Sequence, residues 1–406
     1  MFYRHKFLIT KKLVILCYIL VVMKKTLLII LIFLLKIAYA QQETTSEPDP
    51  ARLWNYYARQ EYGEAARYLQ AFTRDTTASP ARLRQIGELY WRSGDYPRAV
   101  DYLSKSLRLD STDFQSLLTL ARVYAAQAQR PAAMQYYKRA LARDSTQISV
   151  YQGMASLYIK QRDALSALAC LSRAHALNPE HAGVALDYGT IAMQLQEYQQ
   201  AYKVYARSLQ AQPDHLALLQ GKAEAAYMLK QYPETIELLE HYRQLDSLAL
   251  TIKPLLAAAY CRQQQYRKAI LLYEQLEQAG VDMSEQMFYY WSKSYAGLDQ
   301  QEQALLYMNK SIDKGLSPHL STYWLEKGKL LQDLTRYDQA IRAYKKSLEY
   351  GPQSGTYLSL GIVYDYYKGQ PVRAISAYRK FQQADTLQLN PELSKFVAGR
   401  MQALDK

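Results

Sequence analysis

The sequence predicts an all-α chain: a solenoid of about ten helix-turn-helix units closed by a C-terminal cap helix. Three observations predict it. A Tyr-like position followed three residues later by Ala returns at intervals of 34 residues. Each interval holds two stretches with apolar residues at helical spacing, and no stretch alternates apolar and polar residues as a half-buried strand would. The tyrosine-like position falls at Tyr62, Tyr96, Arg130, Ala164, Tyr198, Tyr232 and Tyr266, and its partner at Ala65, Ala99, Ala133, Ala167, Ala201, Thr235 and Ala269. Insertions of one and two residues lead to Gln301/Ala304 and Tyr337/Ala340, and a last step of 34 reaches Pro371/Ala374.

In chain order, residues 23–40 come first as a recognisable element. "MKKTLLIILIFLLKIAYAQQ" has Lys24 and Lys25, an apolar stretch Thr26–Leu35, and Ala38-Tyr39-Ala40 before Gln41. That is the layout of a secretory signal peptide with cleavage after Ala40. The apolar stretch is shorter than the roughly 20 residues that span a bilayer. Residues 1–22 read as an extension ahead of a true start at Met23. The alternative is that the whole of 1–40, with its second apolar run Leu13–Val22, anchors the protein in the inner membrane. No Cys stands at a candidate cleavage point, so export without a lipid anchor is expected. Residues 41–50, "QQETTSEPDP", read as a polar linker.

Residues 51–389 are the repeat array. In the second unit, Leu83, Ile86, Gly87 and Tyr90 share one helical face. Ser93-Gly94-Asp95 then breaks the helix, glycine accepting the left-handed turn and Asp95 capping the second helix of the unit. That second helix carries Tyr96, Ala99, Leu103 and Leu107 on its inner face. "LDST" (109–112), "RDST" (143–146) and "LDSL" (245–248) close units, their Asp and Ser predicted to cap the following helix; "NPE" (178–180) and "QPD" (212–214) are assigned the same job. Residues 390–406 read as a capping helix in which Phe396, Val397 and Met401 cover the tenth unit.

These positions resemble the tetratricopeptide repeat. Its small eighth residue is matched by Gly87, Ala121, Ala155, Gly189, Ala223, Ala257 and Gly328, and its eleventh by Tyr56, Tyr90, Tyr124, Tyr158, Tyr260 and Tyr295. The recurring alanine matches its twentieth position, Pro179, Pro213 and Pro352 its thirty-second, and Trp324 the aromatic at its fourth. Ser292 and Ile362 depart from the small eighth residue and Thr235 from the alanine, and the tenth unit is shifted by one residue at Gly361 and Tyr364. The resemblance implies a right-handed superhelix and a protein-interaction scaffold without catalysis or cofactor.

The bulk composition agrees with stacked thin layers. The chain has 38 Tyr against 8 Phe and 4 Trp, and a tyrosine ring can be buried with its hydroxyl at the surface. The net charge of +13 is partly the leader's: seven of the 50 basic side chains lie in residues 1–40, which hold no acid. Residues 41–406 therefore carry 43 basic against 37 acidic groups, a mixed surface with no basic tract for phosphate backbones. Cys170 and Cys261, 91 residues apart, fit neither a metal site nor a CxxC motif and read as buried helix-face thiols; Cys17 lies in the apolar leader.

Residues for chemistry are missing. The six histidines (His5, His175, His181, His215, His241, His319) have no zinc-protease spacing, and no GxGxxG, GxxxxGK[ST] or GxSxG occurs. No catalytic residue, metal ligand or cofactor site is assigned, and nucleic acid is not an expected partner. A helical hydrolase acting on envelope carbohydrate is kept as the contrasting class. A partner peptide or helix is expected on the face formed by each unit's first helix, where the resemblance implies contacts from the fifth and ninth residues. Those read Arg84/Glu88, Leu118/Arg122, Gln152/Ser156, Leu186/Thr190, Gln220/Glu224, Pro254/Ala258, Tyr289/Lys293 and Leu325/Lys329. Arg84, Glu88, Arg122, Gln220, Glu224, Tyr289, Lys293 and Lys329 are the candidate binding residues. Tyr289, Lys293 and Lys329 make the C-terminal half basic and aromatic, suited to a segment with acidic and apolar side chains. The family's Lys/Asn clamp for a C-terminal carboxylate is missing. The expected site of action is the periplasm, or the inner membrane if residues 1–40 persist as an anchor for an envelope assembly factor.

Overall fold

The computed structural model describes residues 23–34, 36, 47–73, 78–315, 318–384 and 391–405. Every regular element among them is helical. The expected extension 1–22 lies outside the described residues, as do the cleavage motif and most of the linker; residues 23–34 are helical, and no described helix is long and apolar enough to cross a membrane.

The chain divides into two bodies, through Leu177 and from Asn178. The first holds four helix pairs: α1 (Pro50–Ala58) with α2 (Tyr62–Ala71), α3 (Pro80–Arg92) with α4 (Tyr96–Leu109), α5 (Phe114–Ala126) with α6 (Arg130–Arg143), and α7 (Ile148–Lys160) with α8 (Ala164–Leu177). The second holds six pairs: α9 (Ala182–Gln194) with α10 (Tyr198–Ala211), α11 (Leu216–Met228) with α12 (Tyr232–Leu245), α13 (Lys253–Arg262) with α14 (Tyr266–Gln278), α15 (Glu285–Ala296) with α16 (Gln301–Lys314), α17 (Leu320–Asp333) with α18 (Tyr337–Tyr350), and α19 (Ser354–Ile362) with α20 (Pro371–Ala384). A final helix, α21 (Pro391–Leu404), completes the second body. Beyond the first pair, helices pack most closely within a pair or equally well on the next first helix, as α10 does on α9 and α11. First helices also touch the next first helix, as α9 touches α11 and α13 touches α15, with no comparable contact between second helices. The first helices thus form the tighter wall within each body.

The turn inside each pair carries the sequence period into the backbone. A residue with left-handed φ stands at Gln60, Gly94, Ala128, Arg162, Gln196, Lys230, Gln264, Asp299, Thr335 and Gly369. In all but the last, the amide after it closes the turn on a carbonyl five residues back, as Asp95 does on Tyr90 (2.9 Å) and Gln129 on Tyr124 (2.8 Å). Of the ten, only Gly94 and Gly369 are the glycines that a left-handed turn favours; the other turns hold side-chain-bearing residues there.

One fully buried residue per second helix forms a spine through each body: Leu69, Leu103, Tyr137 and Leu171 in the first, and Tyr205, Leu239, Tyr273, Met308, Tyr344 and Tyr378 in the second. Tyrosine at this place is generally met by glycine on an adjoining first helix. A Cβ on Gly153 would come to 2.5 Å from Tyr137 Oη, one on Gly189 to 2.5 Å from Tyr205 Cε1, and one on Gly221 to 2.7 Å from Tyr205 Cζ. Leu171 and Leu239 stand sixteen residues after Ala155 and Ala223, the spacing of Tyr205 from Gly189. Ring with glycine and leucine with alanine both occur at this spacing, and so do mixed pairs: Leu103 stands against Gly87, where a Cβ would lie 2.6 Å from its Cγ, and Tyr273 stands sixteen residues after Ala257. The tyrosines that open second helices, such as Tyr96 and Tyr266, are only half-buried. The Tyr266 ring reaches the next unit at Gly297.

Three expectations are corrected. Asp110, Asp144 and Asp246 do not cap the next helix: each accepts from the amide two residues on, at 2.9, 2.8 and 3.2 Å, and turns the chain. The caps are Asp113, which accepts from the Ser116 amide (3.2 Å), and His181 and His215, whose Nδ1 accepts from Val184 (3.2 Å) and Leu218 (3.4 Å). Ile362 does not replace the small residue of the tenth unit. Gly361 faces Tyr378 as Gly328 faces Tyr344, and the extra residue is absorbed by a π-turn, Val363–Tyr367, where the closing bond from Gln370 reaches back six residues to Tyr364. In the cap helix, Val397 is buried and Met401 and Leu404 pack behind it, whereas Phe396 is exposed. Arg400 anchors that helix on the buried Asp365 of the π-turn through two hydrogen bonds, 2.9 and 2.8 Å.

Candidate binding cleft

A cleft of about 500 Å³ opens on the first-helix face of the second body. Four successive first helices, α11, α13, α15 and α17, contribute to it. Its low side is α13. Helices α9 and α11 begin at Ala182 and Leu216, 34 residues apart, but α13 begins at Lys253, three residues late. Pro254 has no amide proton and is tolerated only in a first turn, so it fixes that late start. Pro254 and Ala258 then present little bulk, while Tyr227 from α11 and Tyr289, Tyr290 and Tyr323 from α15 and α17 stand around them.

The polar groups form a connected set. Tyr227 donates to the Tyr290 hydroxyl oxygen (3.0 Å), and Arg262 Nη2 donates to the same oxygen (2.9 Å). The Arg262 guanidinium also lies 5.2 Å from the Tyr290 ring centroid and 6.0 Å from that of Tyr232. Burial, then the hydrogen bond to Tyr290, push the Tyr227 phenol well above its ordinary range, so it stays protonated. Tyr289 packs edge-on to Tyr290 at 5.3 Å and against Tyr323 at 5.1 Å, which stiffens the wall. Tyr273, the spine residue beneath, has its hydroxyl buried without a hydrogen-bond partner. Among the described residues no carboxylate lines the cleft.

The candidate residues are distributed over both bodies. In the first, Arg84 is engaged by Asp113 (2.8 Å) and Glu88 (3.8 Å), and Arg122 lies over the Trp91 ring at 5.9 Å. In the second, Gln220 donates to Glu224 (2.9 Å), Tyr289 lines the cleft, and Lys293 and Lys329 both pair with Glu326 at 2.9 Å. The expected basic patch is therefore partly cancelled. Burial would raise the Glu326 carboxyl, but Lys293 and Lys329 hold it below the ordinary range. Arg262, Tyr227 and Tyr290 are not marked by the repeat pattern, although Arg262 continues the Pro254–Ala258 series by one more step of four, onto the same face.

Among the described residues no group of three or more His, Cys, Asp or Glu side chains could hold a metal ion. Cys170 is half-buried and Cys261 buried, both free thiols, and burial pushes each thiol up.

Models of the tetratricopeptide repeat match residues 51–113 and 153–215, 90–157, 255–284 and 321–353, more than half of the chain together. No curated protein matches it. Among solved structures, a tetratricopeptide repeat protein from Parabacteroides merdae is 18% identical, covering 63% of this chain and 98% of its own, with a TM-score of 0.41. PilW, a type IV pilus biogenesis factor, is 18% identical over 49% of this chain and 92% of its own (TM-score 0.38). YrrB, a repeat protein with an unusual peptide-binding site, is 16% identical over 42% and 88% (TM-score 0.37). With its period, its paired helices and the repeat models matched over more than half of its length, the chain belongs to the tetratricopeptide repeat family.

Proposed function

We propose that this protein is an interaction scaffold of the bacterial cell envelope, exported by residues 23–40, that holds a segment of another polypeptide on the first-helix face of its second body. The observation that carries this reading is the aromatic cleft. Four consecutive first helices line it, so a chain running across them meets residues from several units at once. Rigid tyrosines offer contact area at small entropic cost, as binding hot spots do. The leader supports the envelope, since Lys24-Lys25, the apolar stretch and Ala38-Tyr39-Ala40 form a complete secretion signal.

The test is photo-cross-linking in cells, with the reactive amino acid at Gln286 in the cleft or at Lys310 on the second helix α16. One or two stoichiometric envelope proteins captured from Gln286 and not from Lys310 is the expected result. The same capture from both positions, or none from Gln286, overturns the reading. N-terminal sequencing of the recovered protein should begin at Gln41; intact Met1 or Met23 would remove the cleaved-leader part.

A further inference from the structure

We infer that the cluster of Arg262, Tyr290 and Tyr273 seats an acidic side chain of the bound segment, with an apolar neighbour of that residue against the cleft wall. The inference rests on the scaffold reading above and names what the cleft selects. The Tyr290 oxygen already accepts two hydrogen bonds, from Tyr227 and Arg262, so its own proton is left to donate. Arg262 makes no ion pair among the described residues, and a guanidinium carries more donors than the one used on Tyr290. The Tyr273 hydroxyl is a third donor without an acceptor, and it is buried. Buried polar groups are nearly always partnered, and an orphan calls for an explanation.

All three residues line a cleft in which, among the described residues, no carboxylate is present to receive their donors. Lys293 and Lys329, the cations first expected to do this, already share Glu326. A carboxylate from the partner supplies the missing charge, and Arg and phenol donors bind it in a charge-assisted way. Met228, Leu255 and Met287 line the same cleft and offer adaptable apolar contact beside it. Because four helices line the cleft in succession, the carboxylate is assigned to a side chain of a segment passing through and not to a chain end.

A display library of random decapeptides, tethered at both ends so that no free terminus exists, is selected on the full chain and on its Arg262→Met and Tyr290→Phe variants. Thermal melting verifies that each variant folds. Selections on the unaltered protein should enrich Asp or Glu beside an aromatic or aliphatic residue. Synthetic versions of the selected peptides should lose about tenfold in affinity when the acid becomes its amide, and that difference should fall below about twofold in Arg262→Met. An empty selection, no acidic preference, or a preference unchanged by Arg262→Met overturns the inference. So does enrichment only in a library with free C-termini, which would assign the carboxylate to a chain end. Absence of any acidic preference in the unaltered protein, with Gln286 cross-linking intact, defeats this inference alone. Loss of the cross-link defeats the scaffold reading itself.

Discussion

Replacing Gly189 by alanine in α9 tests the spine directly. Alanine is the better helix former by about 0.5–1 kcal/mol, so an unconstrained site would gain stability. Here the new Cβ would lie 2.5 Å from Cε1 of Tyr205 and closer still to Cζ, whereas carbon atoms settle at about 3.5–4.0 Å. The ring must retreat by about 1 Å or more, and it is 3% exposed. Behind it stands Gly221, where a Cβ would be 2.7 Å from the same ring, so the backbone of α11 already hugs its other side. Overpacking of this kind costs about 1–3 kcal/mol. Net of propensity, Gly189→Ala should destabilise by up to about 2.5 kcal/mol.

Two comparisons make the result decisive. Gly399→Ala, in α21 with nothing within 4 Å of the new methyl, should stabilise by about 0.5–1 kcal/mol. Adding Tyr205→Leu to Gly189→Ala should restore part of the loss, because it removes the ring that the new methyl strikes, and leucine stands at this spacing from alanine at Leu171/Ala155 and Leu239/Ala223. Urea unfolding of the unaltered protein, the two single variants and the double variant gives the double-mutant cycle, with an expected coupling of about 1 kcal/mol or more in favour of the pair. A stabilising Gly189→Ala, or a double variant no better than the sum of its parts, would refute the ring-and-glycine account of this junction.

The same geometry carries further expectations. Ala201, fully buried within its helix pair, should cost about 1–3 kcal/mol when changed to leucine, and an unchanged melting midpoint would show that it is not a close-packed contact. Ala128, held at φ 58°, should tolerate glycine with a gain of up to about 1 kcal/mol, left-handed strain of about 1–2 kcal/mol being offset by glycine's looser unfolded chain; Gly94→Ala at φ 82° should move the urea midpoint the other way. Glu326 is depressed in the folded state, so its stabilising contribution is present above the unfolded value of about 4.3 and is lost as pH falls through the lower folded value. Lys293→Met with Lys329→Met should therefore lower stability most at neutral pH and narrow the gap to the unaltered protein as pH falls below about 4, read from melting curves across that range.

The architecture was legible because a repeat states its rule many times. Ala99 or Ala201 alone says little, but the same residue at the same interval fixes helix faces and register together. What escaped was whatever the chain does once. Histidine caps at His181 and His215 look like surface residues, since capping usually falls to Asp, Asn, Ser or Thr. The π-turn made Ile362 look like a departure when Gly361 had only moved by one residue. Left-handed turns without glycine leave no compositional mark, because similar closures hold Gln60 or Lys230 in place by hydrogen bonding alone. The cancelling of Lys329 was open to view, as Glu326 stands three residues earlier on the same helix.

The cleft falls where the period breaks. The left-handed turn residue advances by 34 from Gln60 to Gln264, then by 35 to Asp299 and 36 to Thr335. The insertions precede α15 and α17, and Ser284 and His319, in the connections entering those helices, both line the cleft. The missing first turn of α13 opens it from the other side. A uniform groove repeats one weak contact; discrimination needs one place where donors and apolar walls differ from their neighbours. Natural chains depart from their local rules chiefly at functional sites. In this chain the short helix, the two insertions, the uncompensated Arg262 and the orphaned Tyr273 hydroxyl coincide within four consecutive units, and on that ground we propose the binding chemistry there and not along the regular stretch before it.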